Sequence, residues 1–262
     1  MPRCGFDNGF SRSLATDGLG AGFGKSRFTP YKLDTDLWLW LDGQDTSTMY
    51  TDNTETIPSS NGSPVGRWRD KSKYSRHAEQ STASAKPTLS SSAIKGCYGV
   101  TFDGGDILST ITPHIPTNTI GELWTVSLLT GAGSQFIVET LDASGGNFIQ
   151  QSWTSTSASY RTVLCFPSIF IAKPVGLTLL RSTWSASASV DRGTFESDDA
   201  RATTGTSGML DSGPPRPVNI GSRYNGFGAI GAIGEVIWIG RLLTSVEAAD
   251  LKGYLKLKWG TP

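Results

Sequence analysis

The residues that could do chemistry in this chain are few and scattered. His77 and His114 are its only histidines. His77 follows Arg76 in a polar stretch, where a hydrogen bond to a loop carbonyl is its expected role, and His114 lies between Pro113 and Pro116 in a stiff connector. Neither has a companion at ligand spacing, so a multi-histidine metal site is excluded and a histidine-assisted nucleophile has little to draw on. Cys4, Cys97 and Cys165 are odd in number, widely spaced and without a Cys-x-x-Cys pair, which predicts three free thiols and a reducing compartment. Asp103 and Asp106 flank Gly104-Gly105 and would put hard oxygen ligands on one turn, as calcium requires. Such a site also needs oxygens from another loop, for which Asp198, Asp199 and Asp211 are candidates. Turn formation alone accounts for the pair, and no cofactor is expected.

Aromatic side chains are the other chemical resource, because a ring face complements the C–H face of a pyranose. Of eight tryptophans, Trp38, Trp40, Trp124, Trp184 and Trp238 sit in apolar runs and read as core. Trp153 lies among polar residues, and Trp68 is flanked by Arg67, Arg69 and Asp70; these two are the candidate glycan contacts. The stretch Gly226 to Gly234 has Gly-x-x-Gly spacings but leads into a strand, so phosphate has no helix dipole to bind and a bulged strand is expected.

The elements that must position these residues are short strands. Leu37 to Leu41 is five large apolar residues in a row, a strand with both faces covered. Val100 and Phe102 alternate with Thr101, as do Trp124, Val126 and Leu128 with their neighbours, and Phe136 to Leu141 is a third candidate. Trp184, Ala186, Ala188 and Val190 alternate with serines, the pattern of a half-buried strand, and Ile233 to Ile239 reads as central in its sheet. One helix is predicted: Thr244 and Glu247 form a capping box, and Val246, Ala249, Leu251, Tyr254 and Leu255 supply an apolar stripe ahead of Trp259-Gly260.

The 262 residues carry 31 glycines and 13 prolines with abundant Ser and Thr, which argues against a helical bundle. Lysine plus arginine equals aspartate plus glutamate at 23 each, so neither nucleic acid nor an anionic membrane is the expected partner. No stretch is apolar enough for a membrane span, and no apolar leader opens the sequence. Residues 1–33 read as an extended glycine-rich arm, with Phe6, Phe10, Phe23 and Phe28 as anchors for a partner, and residues 34–262 as one domain.

Several segments together resemble a known family. Leu39-Trp40-Leu41-Asp42, then Val65-Gly66-Arg67-Trp68-Arg69-Asp70-Lys71-Ser72, His77-Ala78, Lys86-Pro87 and Phe102-Asp103-Gly104 are similar to the opening of concanavalin A-like, laminin-G-like jelly rolls of phage virion and bacterial surface proteins. Asn219 to Arg223, Gly234 to Ile237 and the closing helix resemble that family's ending. The resemblance spans about residues 36 to 260; residues 130 to 215 match no pattern, and Tyr74-Ser75 and Gly240-Arg241 depart from it.

The resemblance implies an all-β antiparallel sandwich, a jelly roll with one C-terminal helix. Glucanases of this fold are similar to one another in a Glu-x-Asp-x-x-Glu strand, whose period-2 spacing aims the first two acids at one face. No such string exists here, and Glu139 and Asp142 are three apart. The expectation is therefore a non-enzymatic bacteriophage structural protein, a capsid decoration or head-fibre component made in the host cytoplasm. It would be attached to other virion proteins through its arm, be homo-oligomeric and display a lectin-like jelly roll that could meet host surface glycans. The alternatives are a free carbohydrate-binding lectin module, a tail-fibre or receptor-binding component, and, given a pair of carboxylates in a cleft, a glycoside hydrolase.

Overall fold

The computed structural model describes residues 28–111, 120–140, 149–153, 157–162, 169–172, 176–185, 193–197, 200–204, 217–223 and 228–261. Its strands are β1 (Leu37–Asp42), β2 (Met49–Tyr50), β3 (Arg67–Trp68), β4 (Ala78–Glu79), β5 (Thr88–Ile94), β6 (Cys97–Asp103), β7 (Leu108–Thr110), β8 (Ile120–Leu129) and β9 (Gln135–Glu139). They continue as β10 (Ile149–Trp153), β11 (Ser157–Thr162), β12 (Ile169–Ala172), β13 (Leu177–Ser185), β14 (Gly193–Glu196), β15 (Arg201–Thr204), β16 (Asn219–Ile220) and β17 (Ile230–Ile239), followed by the helix α1 (Ser245–Trp259). One sheet has eight strands in the order β15-β14-β13-β8-β17-β6-β5, with β1 also paired to β17; the other has nine, β12-β11-β10-β9-β16-β7-β4-β3-β2. The strand pairings are antiparallel: β17, for instance, runs opposite to each of its three partners, β1, β6 and β8. This is the all-β sandwich with one C-terminal helix that the sequence predicts. Phe6, Phe10 and Phe23 of the expected arm, and most of the alternating run from Trp184 to Val190, lie outside the described residues.

The eight-stranded sheet has two apolar faces because it carries two cores. Leu39, Leu41, Leu123, Val236 and Trp238 enter the core between the sheets, whereas Trp40, Trp124, Val126, Ile237 and Ile239 pack under α1. Double coverage is why β1 and the later half of β17 read as apolar runs, with Glu235 as the one charge set into β17. On α1 the buried stripe is Ala248, Leu251, Leu255 and Trp259, while Val246 is exposed, so the stripe is one residue out of phase with the expected Val246 and Ala249. The capping box forms as predicted, and Gly260 ends the helix at φ 64°, the left-handed conformation glycine adopts most readily. Phe28 packs on this same layer, with Leu33 buried in it. The expected partner anchor Phe28 is therefore corrected: its ring is absorbed by its own domain.

Charges are sunk into this layer. Lys258 Nζ lies 2.6 Å from Asp42 Oδ1 and 2.9 Å from Glu235 Oε2, and Lys71 Nζ is 3.0 Å from Asp42 Oδ2. Glu235 also accepts the indole N–H groups of Trp40 and Trp259 at 2.7 and 2.6 Å. Burial pushes the Asp42 carboxyl up, but Lys258 and Lys71 outweigh it and hold it below its ordinary value. Glu235 is more deeply buried and its carboxyl is raised by that burial in spite of Lys258. A second polar pin sits between the sheets, where Gln151 accepts from Thr125 Oγ1 and donates to Ser182 Oγ and the Leu123 carbonyl at 2.7, 2.7 and 3.1 Å. Shifting either strand by one residue would leave these buried groups without partners, so the pin fixes register.

Cys97, buried in the helix-side layer, is joined in a disulfide bond whose partner lies outside the described residues. The expectation of three free thiols is corrected, and the ground for expecting a reducing compartment goes with it. Widely spaced cysteines carry no local sign of pairing, because strand topology, not sequence distance, brings them together.

Candidate functional site: the outer face of the nine-stranded sheet

Alternation along the short strands of the nine-stranded sheet divides inner from outer residues. Met49, Trp68, Ala78, Leu108, Ile220 and Val138 point into the intersheet core. Their neighbours point the other way and fall into cross-strand register: Tyr50 with Arg67, Arg67 with Glu79, Glu79 with Ser109, Ser109 with Asn219, Asn219 with Glu139, and Glu139 with Gln150. A single row of polar side chains thus crosses β2, β3, β4, β7, β16, β9 and β10. Aligned strands about 4.8 Å apart make it a ladder of donors and acceptors roughly 29 Å long.

One end is an ionic cluster. Glu55 has φ 61°, a conformation that costs a non-glycine residue roughly 1 to 3 kcal/mol. It places the carboxylate 2.8 Å from Arg67 Nη1, 3.6 Å from Arg69 Nε and 4.0 Å from His77 Nε2. Arg67 also pairs with Glu79, which accepts from Asn53 Nδ2 at 3.3 Å. Burial would lower the Arg67 guanidinium, but hydrogen bonds to Glu55 and Glu79 hold it above its ordinary value. Burial and then the Arg67 charge lower His77. Its Nδ1 accepts the Asp70 N–H at 3.1 Å, so the neutral ring carries its proton on Nε2, facing Glu55; it accepts a backbone N–H where a carbonyl partner was expected. The neighbouring acid Asp52 is turned into its own loop by Thr54, Thr56 and Ile57.

The centre and far end are built by β7, β16 and β9. Ser109 donates to Asn219 Oδ1 at 2.7 Å, and Gln150 Nε2 donates to Ser152 Oγ at 2.6 Å. Glu139 is 0% exposed, with Arg223 Nε 3.3 Å from its Oε1, and the Arg223 guanidinium stands 5.4 Å from the Phe136 ring centroid. The turn that delivers Arg223 depends on Gly221 at φ 81°, where an added Cβ would run into the Phe102 ring.

The side chains expected to contact glycans are not part of this row. Trp68 and Trp153 are 0% and 1% exposed in the intersheet core, and that expectation is corrected: both rings point inward, because each alternates with an outer polar neighbour. The arginines around Trp68 carry the outward chemistry in its place. Asp70 of the Arg-Asp-Lys-Ser motif is structural, accepting from the Trp40, Ser72 and Arg76 N–H groups at 2.9, 2.8 and 2.9 Å and so tying the loop to β1. Asp103 and Asp106 close their turn on each other, the Asp103 N–H donating to Asp106 at 3.0 Å. Burial raises the Asp106 carboxyl to about 6. Among the described residues no three His, Cys, Asp or Glu side chains converge as a metal site would require; Asp198, Asp199, Asp211 and His114 lie outside them. The row itself escaped the sequence reading because β2, β3, β4 and β16 have two residues each, too short for alternation to register.

No family model and no curated protein matches the chain. Solved structures do. A Trypanosoma rangeli sialidase in complex with sialic acid is similar at 15% identity and TM-score 0.58, over 94% of this chain and 36% of that one. An α-L-arabinofuranosidase soaked with a cyclic sulfate inhibitor is similar at 11% identity and TM-score 0.60, over 88% of this chain and 64% of that one. An arabinofuranosidase complexed with arabinofuranosyl-α-1,2-xylobiose matches at 11% identity and TM-score 0.54, over 79% and 53%. The chain spans about a third of the length of the sialidase and between half and two thirds of the arabinofuranosidases. These identities establish a shared fold. They also correct the expectation that the protein is not an enzyme: that exclusion rested on one missing acid motif, and the proteins that share this fold include sialidases and arabinofuranosidases.

Proposed function

We propose that this jelly roll is a carbohydrate-recognising module that binds sugars on the outer face of its nine-stranded sheet and is carried on a bacteriophage particle. The observation that supports recognition is the polar row from Tyr50 to Gln150, since a sugar is a dense array of hydroxyls and is met by a fixed array of donors and acceptors. The similar solved structures, named for sialic acid and arabinofuranosyl ligands, favour the same class of partner. Glu79 and Glu139 stand three strand spacings apart, about 14 Å. Acid pairs of glycosidases stand about 5 to 9.5 Å apart, a range that Glu55 and Glu79, both held by Arg67, do not exceed, so hydrolysis is tested beside binding.

The test is a glycan array probed with the full chain, followed by titration of the best ligand. Saturable binding that falls about tenfold in Ser109→Ala, the loss of one or two hydrogen bonds at a half-buried hydroxyl, is the expected result. Absence of binding to every glycan, or a ligand unaffected by substitutions in the row, overturns it. The same ligands incubated with the protein and analysed for released sugar read out hydrolysis directly.

Carriage on a virion is favoured by the ordered motifs from Leu39 to Gly104 and from Asn219 to Gly260, which resemble phage and bacterial surface jelly rolls. Detection of the protein in purified particles by mass spectrometry, with capsid or tail genes beside its own, is the expected outcome. Its absence from particles sinks this part of the reading and leaves glycan recognition standing.

A further inference from the structure

Resting on the glycan-binding reading of this face, we infer that its ligands are anionic glycans whose sugars bear carboxylates, gripped by guanidinium groups near both ends of the row. At both places the acid lies beneath and the base above. Glu139 is 0% exposed, whereas the Arg223 side chain that pairs with it is 28% exposed. Glu55 is 25% exposed, and Arg69 beside it is 45% exposed. In each of these two pairs the member more exposed to solvent is thus the arginine.

Both guanidinium groups also keep donors in hand. Arg69 and Arg223 each reach their glutamate through Nε, at 3.6 and 3.3 Å, and the terminal N–H groups of each have no partner among the described residues. Arg67 differs, with both terminal nitrogens spent on Glu55 and Glu79. Two parallel N–H groups in a rigid fork match the two oxygens of a carboxylate, and the Arg223 guanidinium lies within cation–π reach of the Phe136 ring, 5.4 Å from its centroid. From β3 to β9 is four strand spacings, about 19 Å, so the two forks suit separate sugars of one chain. Between them the half-buried Ser109 is neutral and suited to a hydroxyl, and buried Asn219 accepts its proton and orients it.

Affinity gel electrophoresis of the full chain in polygalacturonate, alginate, polysialic acid and neutral dextran tests this, with double-stranded DNA as a polyanion without sugar carboxylates. Retardation by at least one carboxylated glycan, at least tenfold stronger than by dextran and weakened by salt, is expected. Arg69→Gln should reduce that retardation about tenfold with an unchanged melting temperature, since its side chain is the most exposed of the set. Arg223→Gln should do the same where it folds, and Arg223→Lys, which keeps the charge but loses the fork, should not restore full affinity. Equal or stronger retardation by dextran overturns the anionic preference while leaving glycan recognition intact. DNA retarding as strongly as the best carboxylated glycan overturns it as mere polyanion attraction, and wild-type binding by Arg69→Gln removes the assigned role. Retardation by no glycan at all overturns both this inference and the reading beneath it.

Discussion

Two ionic clusters in this protein use the same residue types in opposite ways. Under α1, Lys258 is clasped between Asp42 and Glu235, Lys71 completes Asp42, and two indole N–H groups complete Glu235. On the outer face of the nine-stranded sheet, Arg69 and Arg223 each touch a carboxylate by one nitrogen and turn the remainder outward. The first cluster is closed, and the second is open at Arg69, while Arg223 covers a Glu139 that is itself buried. Partner removal in a closed cluster strands a charge away from water, whereas water replaces a lost partner in an open one. The former belongs to folding, and the latter is the one we propose for recognition.

The strongest way to break this contrast is Lys258→Ala. It leaves Asp42 with Lys71 but deprives Glu235 of its cation, and a loss of about 3 to 5 kcal/mol is expected from denaturant unfolding. A loss below about 1 kcal/mol would mean that Glu235 simply takes up a proton and that the cluster is not closed. Reduction of the Cys97 disulfide should cost about 2 to 4 kcal/mol. With three cysteines in the chain and one intrachain disulfide, alkylation of the denatured protein should label one thiol before reduction and three after; three labelled without reduction would show the bond absent.

On the open face the stability effects should be smaller. Arg67→Ala removes a half-buried side chain from two carboxylates and is expected to cost about 1 kcal/mol, while Arg69→Gln should stay within about 0.5 kcal/mol. Similar losses for Arg69→Gln and Lys258→Ala would erase the distinction between the clusters. A pH-dependent effect is expected at Asp106, whose carboxyl is raised to about 6 by burial. A group harder to ionise folded than unfolded contributes stability below its unfolded value of 3.8 and loses it as pH rises through about 6. Asp106→Asn cannot ionise and keeps an oxygen for the Asp103 N–H, so its stability relative to the parent should improve as pH rises across that window. A difference independent of pH would show that Asp106 ionises normally.

What the sequence by itself determined is the set of features whose physics is local. Five apolar residues from Leu37 to Leu41, the apolar run of β17 and the Thr244–Glu247 capping box needed no distant partner to be legible, because double coverage, strand length and cap chemistry leave their marks on adjacent residues. The fold class followed from these and from the turn-rich composition. Tertiary structure alone decided the rest. Trp68 carries the same flanking arginines whether it points in or out, and only the pairing of β3 with β2 and β4 turns it inward and sets Arg67 in the row. Cys97 finds its disulfide partner, and Lys258 finds Asp42 across the chain, through packing that no spacing encodes. The polar row takes single residues from seven strands spread between Tyr50 and Asn219. A row assembled one residue per strand has no sequence period of its own: its order is perpendicular to the chain.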